Sequence, residues 1–183
     1  MSTIDRLWQR IQNAFGFGVT TAPANDSGPV QTVQMSLFGI ETHDNAPVLY
    51  HYGFSSNPPV GSNVAVSFVA GERTNGVVLA TGHKQSRPTG LQPGEVVVYD
   101  VFGNTIKFTA TGMTMTDCNG NIIQMMPGKI HVTTPILECT GDIIDNVGTQ
   151  PRTMAGMRAV YNGHTHGGIQ AGSNHTAIPD QLE

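Results

Sequence analysis

Only 22 of the 183 residues are charged, 12% of the chain, and the net charge is −4, against a usual charged share of roughly 25%. No run of Lys and Arg is available to neutralise phosphates, which argues against a nucleic-acid partner. Gly and Thr supply 42 residues and Leu only seven, which disfavours a helical bundle and favours β structure with many turns.

The start, Met1 to Trp8, has no continuous apolar run and no small-residue cleavage site, so no signal peptide is expected. No stretch approaches the roughly 18 to 20 apolar residues that span a bilayer. These features predict a chain made as a soluble cytoplasmic protein. Cys118 and Cys139 match no zinc spacing, and in a reducing compartment they read as small buried hydrophobes.

Residues 1–16 read as an amphipathic helix, with Ile4, Leu7, Trp8, Ile11 and Phe15 on one stripe and Gly16 and Gly18 as its stop. The stripe either packs on the chain's own body or docks on a larger partner. The polar, Pro-containing stretch 19–29 reads as a linker that would let it reach away, so residues 1–29 form an N-terminal helix and linker. Strands follow over 30–40, 48–54, 63–70, 76–82 and 95–102, separated by turn signals at Asn57-Pro58-Pro59, Asn75-Gly76, Arg87-Pro88 and Pro93-Gly94. Five short strands of this spacing suit a small closed barrel of the OB type over 30–103.

From Asn104 the texture changes. Apolar groups begin at 106, 113, 122, 130, 137 and 143, a loose repeat of seven to eight residues broken by Gly112, Asn119-Gly120, Pro127-Gly128, Pro135 and Gly141. Short alternating strands with minimal corners suggest a β-solenoid-like winding over 104–150. Each fully buried side chain contributes roughly 1.5–3 kcal/mol, but burial needs a second surface, and one copy does not supply it. Three copies wound around a common axis would turn the alternating residues inward and pair the strand edges. The expected architecture is all-β, an N-terminal barrel followed by a trimeric, intertwined, triple-stranded β-helix.

The last part, 151–183, carries His164-Thr165-His166 between glycines. Two histidines at i and i+2 on an extended segment project to the same side, so both can approach one metal ion. A single copy offers two nitrogen donors, and three copies on a three-fold axis offer six. Six imidazoles suit an octahedral Fe(II) or Ni(II) better than a four-coordinate structural Zn(II), and they leave no open position for substrate. The expected site is therefore a structural staple made by His164 and His166. Asp142 and Asp145 either form a solvated edge or line an ion on the axis. His43, His51, His83 and His131 are scattered singly and read as surface or packing residues, and no catalytic constellation stands out.

The order Gly53-Phe54-Ser55-Ser56-Asn57-Pro58-Pro59-Val60-Gly61, Gly71-Glu72-Arg73, Arg87-Pro88, Pro93-Gly94-Glu95, Tyr99-Asp100-Val101-Phe102-Gly103-Asn104 and His164-Thr165-His166 resembles the phage baseplate assembly protein V family, the central spikes of Mu-like contractile-tailed phages. The likeness runs over about 30–170, with Gly71-Glu72-Arg73 in place of an expected Gly-Asp-Arg. The resemblance implies a non-enzymatic homotrimer in the virion, at the tip of the tail baseplate. It implies an OB-fold base docked on tail hub and baseplate proteins, a β-helical shaft, and an apex holding one iron ion per trimer through His164 and His166. It also implies calcium and chloride on the axis, and transient perforation of the host outer membrane on sheath contraction, without nucleic acid or a small-molecule substrate. Two other readings are a metal-dependent hydrolase using the His-x-His pair and a trimeric receptor-binding tail fibre. The first needs a third protein ligand and a cleft. The second needs an aromatic-rich face, whereas no aromatic falls between Phe108 and Tyr161.

Overall fold

The computed structural model describes residues 3–149 and 152–164. The chain divides into two units, Met1–Thr134 and Pro135–Glu183.

The first unit opens with helix α1, Thr3–Gln12, followed by strand β1, Phe15–Thr20. Four more strands complete the first sheet: β2 Thr32–Leu37, β3 Glu41–Pro47, β4 Asn63–Phe68 and β5 Gly76–Gly82, with a 3-10 turn at Val69–Gly71. The strand order is β3-β2-β1-β4-β5, and all these pairs are antiparallel. Just beyond β3, Val48 bridges Val78 of β5 in parallel fashion, and the Leu49 N–H donates to the Val78 carbonyl at 3.0 Å. The two outer strands are thereby brought together around one core.

That core follows the period-two rule of a half-buried strand. Val33, Met35 and Leu37 of β2 and Val64, Val66 and Phe68 of β4 point inward and meet Ala46, Val48 and Val78. β1 inverts the usual pattern. Its inward positions are Gly16 and Gly18, and its outward ones are Phe15, Phe17 and Val19. A Cβ on Gly16 would stand 3.0 Å from the Val66 side chain, and one on Gly18 would stand 2.2 Å from the Ser36 carbonyl oxygen. The space of those two side chains is already occupied, so glycine is the residue that lets the middle strand pass.

This corrects the sequence reading at two points. Residues 15–20, divided there between a helix and a linker, form the central strand. The strand expected at 48–54 lies earlier, as β3, whose polar stretch Glu41-Thr-His-Asp-Asn45 hides its alternation.

The second sheet contains β6 Val96–Tyr99, β7 Thr105–Thr109, β8 Gly112–Thr116, β9 Ile122–Met126 and β10 Lys129–Thr133. Its order is β10-β9-β8-β7-β6. Each strand therefore pairs with its neighbour in sequence, and all pairs are antiparallel. Within one chain the segment is a meander, not the expected winding of successive coils. The connections, Asp100–Asn104, Ala110–Thr111, Asp117–Asn121 and Pro127–Gly128, alternate between five and two residues, lengths that suit hairpins.

In the second unit the apolar groups at Leu137, Cys139 and Ile143 carry no strand. Ile144 makes an isolated bridge to Thr153, and helix α2 follows, Met154–Gly163, where the sequence reading foresaw none.

Candidate functional site

The registers of the meander put its apolar residues into two complete rows. Val96, Phe108, Met113, Met125 and Ile130 are cross-strand neighbours across all five strands. Val98, Ile106, Met115, Ile123 and Val132 form the next row. Positions two apart on a strand share a face, and so do directly paired residues. All ten side chains therefore line one face. The opposite face carries Lys107, Thr105, Thr114, Thr116, Gln124, His131 and Thr133, with Val97, Tyr99 and Ile122 among them.

No residue of β6 to β10 is buried. The period-two pattern is that of a sheet with a core side, yet among the described residues nothing buries it. Soluble chains rarely leave so large a contiguous apolar patch in water. Cys118 and Cys139 are likewise exposed. The expectation that they are buried fails for the same reason: these segments have no interior within one chain.

The five-residue corners are built alike. At Asp100–Asn104 the Asp100 Oδ1 accepts the backbone N–H groups of Phe102 and Asn104, both at 2.9 Å. At Asp117–Asn121 the Asp117 Oδ1 accepts those of Asn119 and Asn121 at 2.9 and 2.8 Å. Each Asn side chain donates to the other oxygen of its Asp. Hydrogen bonds from Asn104 and Asn121 hold the two carboxyls below their ordinary range. Asn104 Oδ1 also accepts the Cys118 N–H at 2.9 Å, tying one corner to the next.

Of the two expected metal ligands, His164 is described and His166 lies outside the described residues. His164 is the C-cap of α2. Its Nδ1 contacts the Tyr161 carbonyl oxygen, and its ring lies 5.3 Å from the Tyr161 ring, centroid to centroid.

Asp142 takes a role that sequence reasoning missed. Its Oδ1 accepts the N–H groups of Ile143 at 2.9 Å and Ala155 at 3.2 Å. A hydrogen bond from the Thr153 side chain holds its carboxyl low. Thr153 in turn accepts the Gly156 N–H at 2.9 Å as the N-cap of α2. Asp142 thus braces the start of the helix that ends at His164. Asp145 is exposed.

His43 packs against Phe68, with ring centroids 5.2 Å apart, and contacts Glu41. Arg73 donates to both oxygens of Glu41 and stands 4.1 Å above the Phe68 ring. Among the described residues no group of three or more His, Cys, Asp and Glu is placed to hold a metal ion, and no helix is long and apolar enough to cross a membrane. A cleft of about 460 Å³ lies between the 55–62 segment, the end of β5 and the first corner of the meander, with Pro58, Pro59, His83 and Phe102 on its walls. Its His83 is engaged with Ser86, and its Asp100 carboxylate is taken up in its own turn.

Residues 18–85, from within β1 to just past β5, match the family described as Bacteriophage Mu Gp45, N-terminal. The chain is 29% identical over 119 residues to the "Baseplate puncturing device gp45" of Escherichia phage Mu, a match covering 65% of this chain and 60% of that protein. It is 29% identical over 147 residues to the "Mu-like prophage FluMu protein gp45" of Haemophilus influenzae, covering 79% and 75%. Over these spans the chain is similar to the Mu gp45 proteins. The resemblance to baseplate spikes read from its residues is thereby borne out. The chain spans about 60% of the length of the Mu gp45 protein, and the Mu Gp45 family match falls on the first sheet, whereas the meander and His164 lie C-terminal to it.

Proposed function

We propose that this chain is the homotrimeric central spike of a phage contractile-tail baseplate, located in the virion at the tail tip, and that it perforates the host outer membrane when the sheath contracts. Its role is mechanical and not enzymatic. The observation that carries the reading is the meander face: ten apolar side chains in two unbroken rows, none of them buried within one chain. Three such faces turned toward a common axis give each other the cover that one copy lacks. Ten half-exposed side chains represent on the order of 10 kcal/mol of burial per chain, enough to make association the condition of an ordered shaft. The triple-stranded shaft is built, in this reading, from three meanders whose strands pair within each chain.

The first sheet serves as the base, docked on the tail hub. Its order β3-β2-β1-β4-β5, with β3 and β5 drawn together in parallel at Val48 and Val78, supports an OB-type barrel. The name of the phage Mu relative, a baseplate puncturing device, supports the piercing role. At the apex, His164 and His166 of three chains would hold one iron ion with six imidazoles, and the His164 hydrogen bond to Tyr161 suits a ligand that binds through Nε2. A closed shell of this kind supplies a cross-link at the point and no site for reaction. Calcium or chloride on the axis belongs to the same reading.

The test joins metal content to piercing. Purified protein should contain one iron per three chains, and the His164→Ala, His166→Ala double variant should lose the iron and stay trimeric. Tails assembled with that variant should contract normally yet admit far less of an outer-membrane-impermeant dye into host cells. One metal per chain, or dye entry that the variant leaves unchanged, contradicts the proposal.

A further inference from the structure

The N-terminal part of the chain carries two apolar surfaces that one copy leaves uncovered. Ile4, Leu7, Trp8 and Ile11 recur at helical spacing on α1, and all are exposed, Trp8 by 60%. The second surface is the outer side of β1, where Phe15 is 69% and Phe17 is 67% exposed. Phe15 is paired with Ser67 and Phe17 with Ala65 on β4, and Ala65 is paired in turn with Ala80 on β5. Two aromatic rings on the middle strand thus stand beside the small residues Ala65 and Ser67 of β4, with Val77 and Ala80 paired to them on β5 and Leu79 exposed between these two, an apolar surface that takes the stripe of a helix.

The chain's own α1 is held away from that surface. The Ala14 carbonyl accepts the Phe68 N–H at 2.8 Å. Gly71, at a φ of +72°, lies so close to Arg10 that a Cβ there would stand 2.5 Å from the Arg10 carbonyl oxygen. These contacts seat the end of the helix on the 3-10 turn, and only Asn13 and Ala14 separate it from β1. In that seat both surfaces stay in water. A ten-residue helix is marginal alone, so its stripe needs cover that its own sheet does not give.

We propose that α1 of one copy lies on the β1 surface of a second copy, each chain giving a helix to one neighbour and receiving one from the other. Such a head-to-tail contact closes in a ring when successive copies are related by a three-fold rotation, and this inference rests on the trimer proposed above. The occupant is specified by the chain itself: an apolar stripe and an apolar surface, two residues apart in sequence and kept from meeting within one copy.

Trp8 is the single tryptophan, so its fluorescence reports the contact directly. In the intact trimer its emission should be blue-shifted and shielded from acrylamide. Phe17→Asp, at a position outside the core, should shift the emission red and raise quenching without loss of the fold. In a Cys118→Ser, Cys139→Ser background, Leu7→Cys with Ala65→Cys should give disulfides between chains, up to a covalent trimer. A trimer whose Trp8 is quenched as freely as in Phe17→Asp, or cross-links confined to single chains, overturns this contact and leaves the trimer standing. A monomeric solution mass overturns both.

Discussion

Asp100 and Asp117 stand seventeen residues apart and close the same turn, each accepting the backbone N–H groups of the residues two and four positions on. The glycine before each closing Asn, Gly103 and Gly120, has a positive φ of +99° and +88°, which favours glycine there. The apolar rows obey the same offset: Val96, Met113 and Ile130 in one, Val98, Met115 and Val132 in the other. The meander is a two-strand unit of seventeen residues used twice over, and its corners and rows stay in phase because both follow one period.

The corner carboxylates give the shaft a defined acid response. Asp100 and Asp117 have folded-state pKa values below the ordinary range because the Asn104 and Asn121 side chains donate to them. Their contribution is fully present above the unfolded carboxylate value of about 4, and it is lost as pH falls through the lower folded values. Stability of the natural protein should be level above about pH 5 and decline below it. In the Asp100→Asn, Asp117→Asn variant the decline should be shallower, with Glu41, Glu95 and Asp142, also held low, keeping a residual slope. Equal acid slopes in the two proteins, read by denaturant titration at several pH values, would show that the turns contribute nothing through their charge.

Gly112 is the tightest point of the second sheet. Its φ is +144°, and a Cβ there would stand 1.9 Å from the Met125 carbonyl oxygen on the adjacent strand β9. Gly112→Ala should therefore cost roughly 1–3 kcal/mol and loosen β8 and β9 first. Amide exchange should speed up in those strands and stay unchanged in the first sheet.

In the proposed trimer, association should depend on the apolar rows and not on the rest of the meander. Ile123→Asp, in the middle of the second row, should abolish the trimer while leaving the first sheet folded, because Val33, Leu37, Val66 and the rest of that core lie elsewhere. Thr114→Asp, on the opposite face, should leave the trimer intact. Sedimentation of the two variants checks both halves of the statement.

The sequence announced the strands of the meander, since alternation with marked corners survives whether or not the face is covered. Its pairing was less legible. A repeat of seven to eight residues reads as one coil per group, whereas the true period joins two strands and shows only when Asp100-x-x-Gly-Asn104 is set beside Asp117-x-x-Gly-Asn121. β1 was hidden for another reason: its inward positions are glycines, so the apolar residues that mark it are the outward ones. Of the apex, the His-x-His spacing was visible, but the bracing of α2 by Asp142 and Thr153 was not, because it joins residues eleven apart with no local signature.

Arg73 holds one end of the first sheet by a forked ion pair to Glu41 and by its seat above Phe68. Arg73→Ala should lower the stability of this unit by about 1–2 kcal/mol. Arg73→Lys should recover little of it, since an ammonium reproduces neither the fork nor the planar stacking. Thermal unfolding of the three proteins gives the comparison.

The claim on which the rest stands is that the meander face acquires its cover from two further copies. Sedimentation equilibrium of the intact chain bears on it most directly. The mass should be three times the 19.5 kDa of one chain, and it should persist in excess chelator. A mass of one chain, with the amides of β6 to β10 as protected from exchange as those of the first sheet, would mean that a single polypeptide covers its own apolar rows and would contradict the account.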